Sequence, residues 1–306
     1  MSETGAAESW PALPLEAWQD TYATLHMWTQ IVGKIRLSLA PMLNHWWQVP
    51  LYVTTRGLTT SPIPHGARVF QMDFDFLAHE LAITTDLGQR RALSLEPRSV
   101  ADFYRATMDA LRSLGIKPSI WTTPVEVAER IPFEHDERHA SYEPASAQRF
   151  WRALVQVDRV LKLFRARFLG KASPVHFFWG AFDMAVTRFS GRPAPRHPGA
   201  PNVARFVAEE AYSHEVSSCG FWPGAGLGEP AFYAYAYPEP EGFAAQPAGP
   251  EEAYYHPELR EFILPYEAVR RAPSPEGHLL AFLQATYEAA ADLAGWDRAS
   301  LERGGA

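Results

Sequence analysis

Cysteine is nearly missing from this chain: of 306 residues only Cys219 is one, so no intrachain disulfide can form and no cage of thiolates can hold zinc. A reducing cytoplasm is the compartment such a composition suits. Long apolar runs are also missing. No stretch reaches the roughly 20 residues that span a bilayer, and the start, Met1-Ser-Glu-Thr-Gly5, is polar with no apolar segment behind it, so neither export nor membrane insertion is expected. Positive charge is in deficit, with 28 basic against 35 acidic side chains and a formal charge of -7, which disfavours nucleic acid and anionic lipid as partners. A glycine-rich phosphate loop is lacking as well. The densest glycine stretch, Gly224-Ala-Gly-Leu-Gly228, follows Trp222-Pro223 and leads into a strand rather than a helix, so it reads as a turn. Metal signatures are poor: Ser218 stands where His214-Glu215 would need a second histidine, His135 and His139 sit in a charged, proline-flanked stretch, and scattered histidines such as His26, His45 and His176 are more often structural. No metal is expected, and no cofactor is indicated.

What is present is material for a large core, 47% hydrophobic and 13% aromatic. Apolar residues recur at helical spacing from Leu15 to Leu39, where Pro41 stops the run. Strands are predicted at Val49 to Thr55, Phe70 to Phe76, Leu81 to Thr85 and Ala92 to Leu95, and a helix follows, opened by the capping box Ser99-Val-Ala-Asp102 and ended by Gly115. The order then repeats. A helix at Phe150 to Phe168 precedes strands at His176 to Ser190, Tyr212 to Phe221, Ala231 to Tyr237 and Glu261 to Leu264, and Ser274-Pro275 opens a last helix that Gly295 closes.

The expected fold is therefore α+β, built as two pseudo-repeated halves, each helix, mainly antiparallel sheet, helix, with the strands forming either one continuous saddle or two facing sheets. The halves are placed at residues 1–120 and 145–306, with a proline-rich, charged linker at 121–144. An aromatic strand opened by histidine and closed by Thr-Arg occurs in each half, from His45 to Arg56 and from His176 to Arg188. The link from Arg188 to Ser274 is twice as long as that from Arg56 to Ser99. Its extra residues lie largely in Gly191 to Asn202 and Pro238 to Pro257, and long loops on a rigid scaffold often carry function.

The runs Leu25-His-Met-Trp-Thr-Gln30, Thr55-Arg-Gly-Leu-Thr-Thr-Ser-Pro62, Ser173-Pro-Val-His-Phe-Phe-Trp179, Thr187-Arg-Phe-Ser-Gly191, Tyr212-Ser-His-Glu-Val216 and Tyr233-Ala-Tyr-Ala-Tyr-Pro-Glu-Pro-Glu-Gly242 resemble the hallmarks of an uncharacterised bacterial domain-of-unknown-function family. The resemblance covers nearly the whole chain. It implies a bacterial, cytosolic context and no activity, substrate or catalytic residue.

The strongest local candidate for chemistry is Tyr212-Ser-His-Glu215. Histidine beside carboxylates is the usual material of proton transfer, and since His214 and Glu215 point to opposite faces of a strand, Glu210 or Asp183 is the better partner. A hydrogen-bonded core histidine accounts for His214 equally well. On one uninterrupted strand His176 and Arg188 share a face, with Trp179 and Asp183 on the other. Arg56 and Arg188 at strand ends suit an anionic group, although each taken alone is better read as a structural ion pair. Tyr233 and Tyr235, with Tyr212, Trp179 and Trp222, suit an aromatic wall, or the ordinary face of a sheet. His26 reads most simply as a surface residue, and Cys219 has no basic neighbour to activate it.

These residues define the expectation of an enzyme acting on a polar or anionic small molecule in an aromatic-lined cleft. His214 is its acid-base, Glu210 or Asp183 the orienter, and His176, Arg56 and Arg188 the binding groups. The competing reading is a non-catalytic small-molecule-binding or protein-interaction module. The oligomeric state is not legible.

Overall fold

The computed structural model describes residues 9–199 and 203–304. Its first helix, α1 (Gln19–Leu39), is buried along most of its length, and Trp28 on it stacks on Phe103 at 4.5 Å. Phe103 belongs to α2 (Val100–Ser113), which starts where predicted: the Ser99 hydroxyl accepts from the Asp102 N–H, and Gly115 past its end takes φ +79°. Between them lies a six-stranded antiparallel sheet of β1 (Tyr52–Val53), β2 (Gly57–Thr59), β3 (Ile63–His65), β4 (Arg68–Asp75), β5 (Glu80–Thr85) and β6 (Arg90–Ser94), ordered β1-β2-β4-β5-β6 with β3 also on β4. The strand expected from Val49 to Thr55 shrinks to two residues, and β2 and β3 are additions. Pro64 hid β3, which is tolerable there because the strand pairs on one side only.

The second half begins with α3 (Pro144–Ala166), capped by the Glu143 carboxylate. Its sheet comprises β7 (His176–Phe178), β8 (Asp183–Pro193), β9 (His214–Trp222), β10 (Ala231–Tyr237), β11 (Tyr254–His256) and β12 (Glu261–Pro265), in the order β11-β12-β10-β9-β8-β7. Short α4 (Arg205–Ala211) precedes β9, α5 (Tyr266–Arg271) follows β12, and α6 (Pro275–Leu293) and α7 (Arg298–Leu301) end the chain. The Ser274 hydroxyl caps α6 by accepting from the Gly277 N–H, as predicted. The glycine-dense stretch is a turn: Leu227 and Gly228 both donate to the Gly224 carbonyl. Of the two expected loops, Pro238 to Pro257 contains β11, while the start of Gly191 to Asn202 is the end of β8 and its residues 200–202 lie outside the described residues.

One expectation fails in a way that moves the site. The stretch from His176 to Ser190 is not a single strand but a hairpin, turned at residues 179–182 with Phe182 at φ +60°. His176 pairs with Ala185 and therefore faces with Asp183, whereas Arg188 points to the other face.

The helices cover one face of both sheets. Phe74, Leu81 and Ile83 from the first sheet, Phe177, Val186 and Phe221 from the second, and Trp28, Phe150 and Leu283 from the helices form one continuous core. The sheets meet edge to edge between β1 and β7, where Leu51 and Phe177 exchange two main-chain hydrogen bonds of 2.9 Å. They form neither two facing layers nor one fully laddered sheet. The segment expected as a linker is tied down along α1: Gln30 exchanges hydrogen bonds with the main chain of Val125 (2.8 and 2.9 Å), and buried Lys34 donates to the carbonyls of Trp121 and Thr123.

Candidate functional site

Strand alternation gives the second sheet an outer face with its own small apolar cluster. Ala185, Gly220, Tyr233 and Ile263 are cross-strand neighbours in one row, and Thr187, Ser218 and Tyr235 lie in the next. Phe178, Trp222 and Leu227 pack against Ala185, Ala231, Tyr233 and Ile263 here, separately from the main core. Gly220 has no side chain for a specific reason. A Cβ there would collide with the Tyr233 ring and the Met184 carbonyl, so glycine lets the tyrosine lie flat across β9 with its hydroxyl at β8.

That hydroxyl donates to the Asp183 carboxylate. Beside it, the Tyr212 and Tyr235 hydroxyls share a hydrogen bond of 2.8 Å, and those of Thr187 and Ser218 share one of 2.9 Å. A second carboxylate arrives from the tied-down segment. Glu126, at φ +56°, lies against Gly180, where any Cβ would meet its carboxyl oxygen. Glu261, the first residue of β12, is the third.

The three carboxyls are held up toward neutral pH. Burial pushes Asp183 up to about 6, against the opposing Tyr233 hydrogen bond, and pushes Glu261 up to about 7, with repulsion from Asp183 adding to it. Glu126 moves in the same direction for the same two reasons. Its residue as a whole is solvent-exposed and only the carboxyl end is tucked down, so its shift is the most open to relief by water. Among the described residues no Lys, Arg or His nitrogen lies within 4.0 Å of any of the three. Burial also raises the tyrosines: Tyr212 is pushed up to about 12, and Tyr233 and Tyr235 well above their usual value. At neutral pH the phenols are donors, and the carboxyls sit where a proton can be taken or given.

Of the residues singled out in the sequence, Asp183, Tyr212, Trp222, Tyr233 and Tyr235 gather here. The others do not. His214 has no hydrogen bond to the Glu210 or Asp183 carboxylate; its Nδ1 is 3.1 Å from the Ser213 hydroxyl and its ring is 5.8 Å from that of His45. Glu210 contributes a main-chain carbonyl, an acceptor for His45. Arg56 is exposed and paired with Asp75 at 2.5 Å on the first sheet. Arg188 is 1% exposed on the inner face, where it donates to the Phe164 carbonyl at the end of α3 and lies 3.5 Å over the Phe164 ring and 4.3 Å over that of Tyr287. Trp179 sits in the hairpin turn, donating to the Val49 carbonyl at 2.8 Å and packed on Gly33. His176 shares the outer face but lies at its far edge, against Tyr52 and Trp47. His26 is buried rather than on the surface, with Nε2 2.8 Å from the Gly180 carbonyl, and burial pushes the Cys219 thiol up to about 12.

Glu126 and Glu261 were missed. Glu261 had a readable signal, an acid at period 2 from Ile263 in an otherwise apolar strand; Glu126 had none, since only the long-range docking of its segment delivers it. A separate depression of about 190 Å³ between β9, β10 and α6 is small for a ligand site, and the one carboxylate lining it, Glu215, is occupied by Ser190 and Arg192. Among the described residues no group of three His, Cys, Asp or Glu side chains is placed to hold a metal ion, and no helix is long and apolar enough to cross a membrane.

The fold and this face together define an α+β protein whose second sheet carries a tyrosine-lined, carboxylate-bearing outer face. The chain belongs to the family of unknown function designated DUF5996, which it matches over residues 10–303. No curated protein and no solved structure matches it.

Proposed function

We propose that the protein binds a polar small molecule carrying a basic nitrogen on the outer face of the second sheet and acts on it by proton transfer through Asp183. One observation carries this reading: three carboxyls drawn up toward neutrality around a single Tyr233–Asp183 hydrogen bond, with no cationic nitrogen within 4.0 Å of them among the described residues. A cationic ligand supplies the missing charge, and the Tyr233, Tyr235 and Trp222 rings favour the same charge through their π faces. The acid-base role thus passes from His214 to Asp183, and the expected anionic ligand gives way to one of opposite sign, because Arg56 and Arg188 are engaged elsewhere. Tyr233 holds Asp183 in place, and Glu126 and Glu261 set its field.

A screen of small molecules for thermal stabilisation at pH 8, followed by NMR of each stabilising compound for product, tests this. Amine-bearing compounds are expected to stabilise the wild type and to lose most of that effect in Asp183→Asn. Stabilisation by anions alone, or an undiminished response in Asp183→Asn, would overturn the reading. Binding without product would reduce the protein to a binding module that uses the same residues.

A further inference from the structure

Where β1 meets β7 the outer face carries a second arrangement, independent of the tyrosines around Asp183. Arg36, in the last turn of α1, donates Nε to the Gln48 carbonyl at 2.6 Å and holds its guanidinium 5.6 Å over the Tyr52 ring. It is 8% exposed, and its Nη1 is buried without a hydrogen-bond partner among the described residues. His176 is fully buried, and neither of its ring nitrogens has a partner there; its ring meets Tyr52 edge-on at 5.6 Å and Trp47 at 6.0 Å. Arg165, whose Nε donates to the Ser173 carbonyl, is a second cation acting on the same imidazole. Lys171 adds a third positive charge nearby, 5.4 Å over the Trp47 ring and donating to His45 Nε2. Among the described residues no carboxylate oxygen lies within 4.0 Å of Arg36, Arg165 or Lys171.

Buried donors without acceptors are rare in folded proteins, and each asks for an occupant. Water would satisfy the hydrogen bonds but leave the charge of the buried Arg36 guanidinium uncompensated beside a buried ring, while Arg165 and Lys171 are exposed. We propose that Arg36, His176 and Tyr52 form a binding site for a small oxyanion, a carboxylate or a phosphate group, at the seam between the two sheets. Arg36 Nη1, the Tyr52 hydroxyl and one His176 N–H are its donors. Arg165 and Lys171 supply long-range attraction and Trp47 an apolar wall, so a compact anion fits better than an extended one.

The test is a titration of the full chain with sodium phosphate and, separately, sodium acetate at constant ionic strength set by chloride. The readouts are the melting temperature and the ¹⁵N resonances of the His176 ring. A saturable rise in melting temperature, with the His176 signals moving at the same midpoint, is the expected result. Response to phosphate alone or to acetate alone identifies which oxyanion the site takes. Tyr52→Phe should weaken binding several-fold, and Arg36→Lys, which keeps the charge but loses the planar fork, about tenfold. Should Arg36→Lys fail to fold, Tyr52→Phe and the wild-type His176 signals carry the test. Unmoved His176 resonances at millimolar phosphate and acetate, or variants that bind as tightly as the wild type, would overturn the site and leave the reading of the face around Asp183 untouched.

Discussion

The two sheets share an architecture and differ in how their outer faces treat charge. On the first, Asp75, Glu80 and Asp86 are paired with Arg56, Arg90 and Arg68 at or near the surface. Asp75 lies below the usual carboxylate range because the Arg56 hydrogen bond and the N–H groups of Ala78 and Leu77 outweigh its burial. On the second, Asp183 and Glu261 are raised by burial and face phenols instead of cations. Ionised groups on the first face are compensated where they stand; among the described residues those on the second have no cationic nitrogen within 4.0 Å. The same scaffold thus serves once as a solvated wall and once as a candidate site.

Substitutions can break or sharpen this contrast. The largest effect is expected at the two arginines that look equivalent in sequence. Arg188→Ala removes a buried guanidinium stacked on Phe164 and Tyr287 and should cost about 4 kcal/mol in urea unfolding, whereas Arg56→Ala, which removes only an exposed partner of Asp75, should lower the urea midpoint slightly. Equal effects would show that the two faces are not distinct in this respect. Next is Gly220→Ala, whose Cβ has no room against Tyr233 and Met184; a loss of about 3 kcal/mol is expected, with the Asp183 carboxyl losing its phenol, and a loss below 1 kcal/mol would mean that Tyr233 does not depend on this close approach.

The smallest effect is the most telling, because its sign changes between sheets. Burial pushes the Asp183 carboxyl up to about 6, well above the ordinary aspartate value, so its ionisation opposes folding. That cost is absent below pH 4, grows as the pH rises toward 6, and is fully present above. Asp183→Asn should therefore stabilise the protein by about 2 kcal/mol at pH 8 and by nothing at pH 3.5. Asp75, shifted downward, adds stability above its unfolded pKa and loses it as the pH falls through its folded value; Asp75→Asn should destabilise by about 0.5–1 kcal/mol at pH 8. Chemical denaturation at the two pH values checks both, and a destabilised Asp183→Asn at pH 8 would refute the raised carboxyl.

The helices were legible because their ends are written locally: Ser99 with Asp102, Ser274 with Pro275, Gly115 and Gly295 each act within a turn of the residue they serve. Strands β4 and β10 were legible from period-2 alternation bounded by turn residues. The hairpin of β7 and β8 was not, because its turn is made by Trp179, Gly180, Ala181 and Phe182, with one lone glycine and a phenylalanine forced to positive φ. With the hairpin hidden, the faces of His176 and Arg188 came out wrong, and Arg188 was placed in a site it does not reach. Tyr233, Tyr235 and Asp183 were found because each belongs to the second sheet alone. Glu126 was not, because its position depends on Gln30 and Lys34 pinning a proline-rich segment to a helix almost a hundred residues earlier.

The pair of hydrogen bonds between Leu51 and Phe177 has a consequence for how the chain reaches its native state. Strand β1 comes off the ribosome well before its partner, and its open edge is paired only after the β7–β8 hairpin has been made. During that interval β1 is a short, unpaired edge available to a neighbouring chain. At two residues it is a poor template, and its brevity, which made it hard to read as a strand, guards the nascent protein against pairing with the wrong partner.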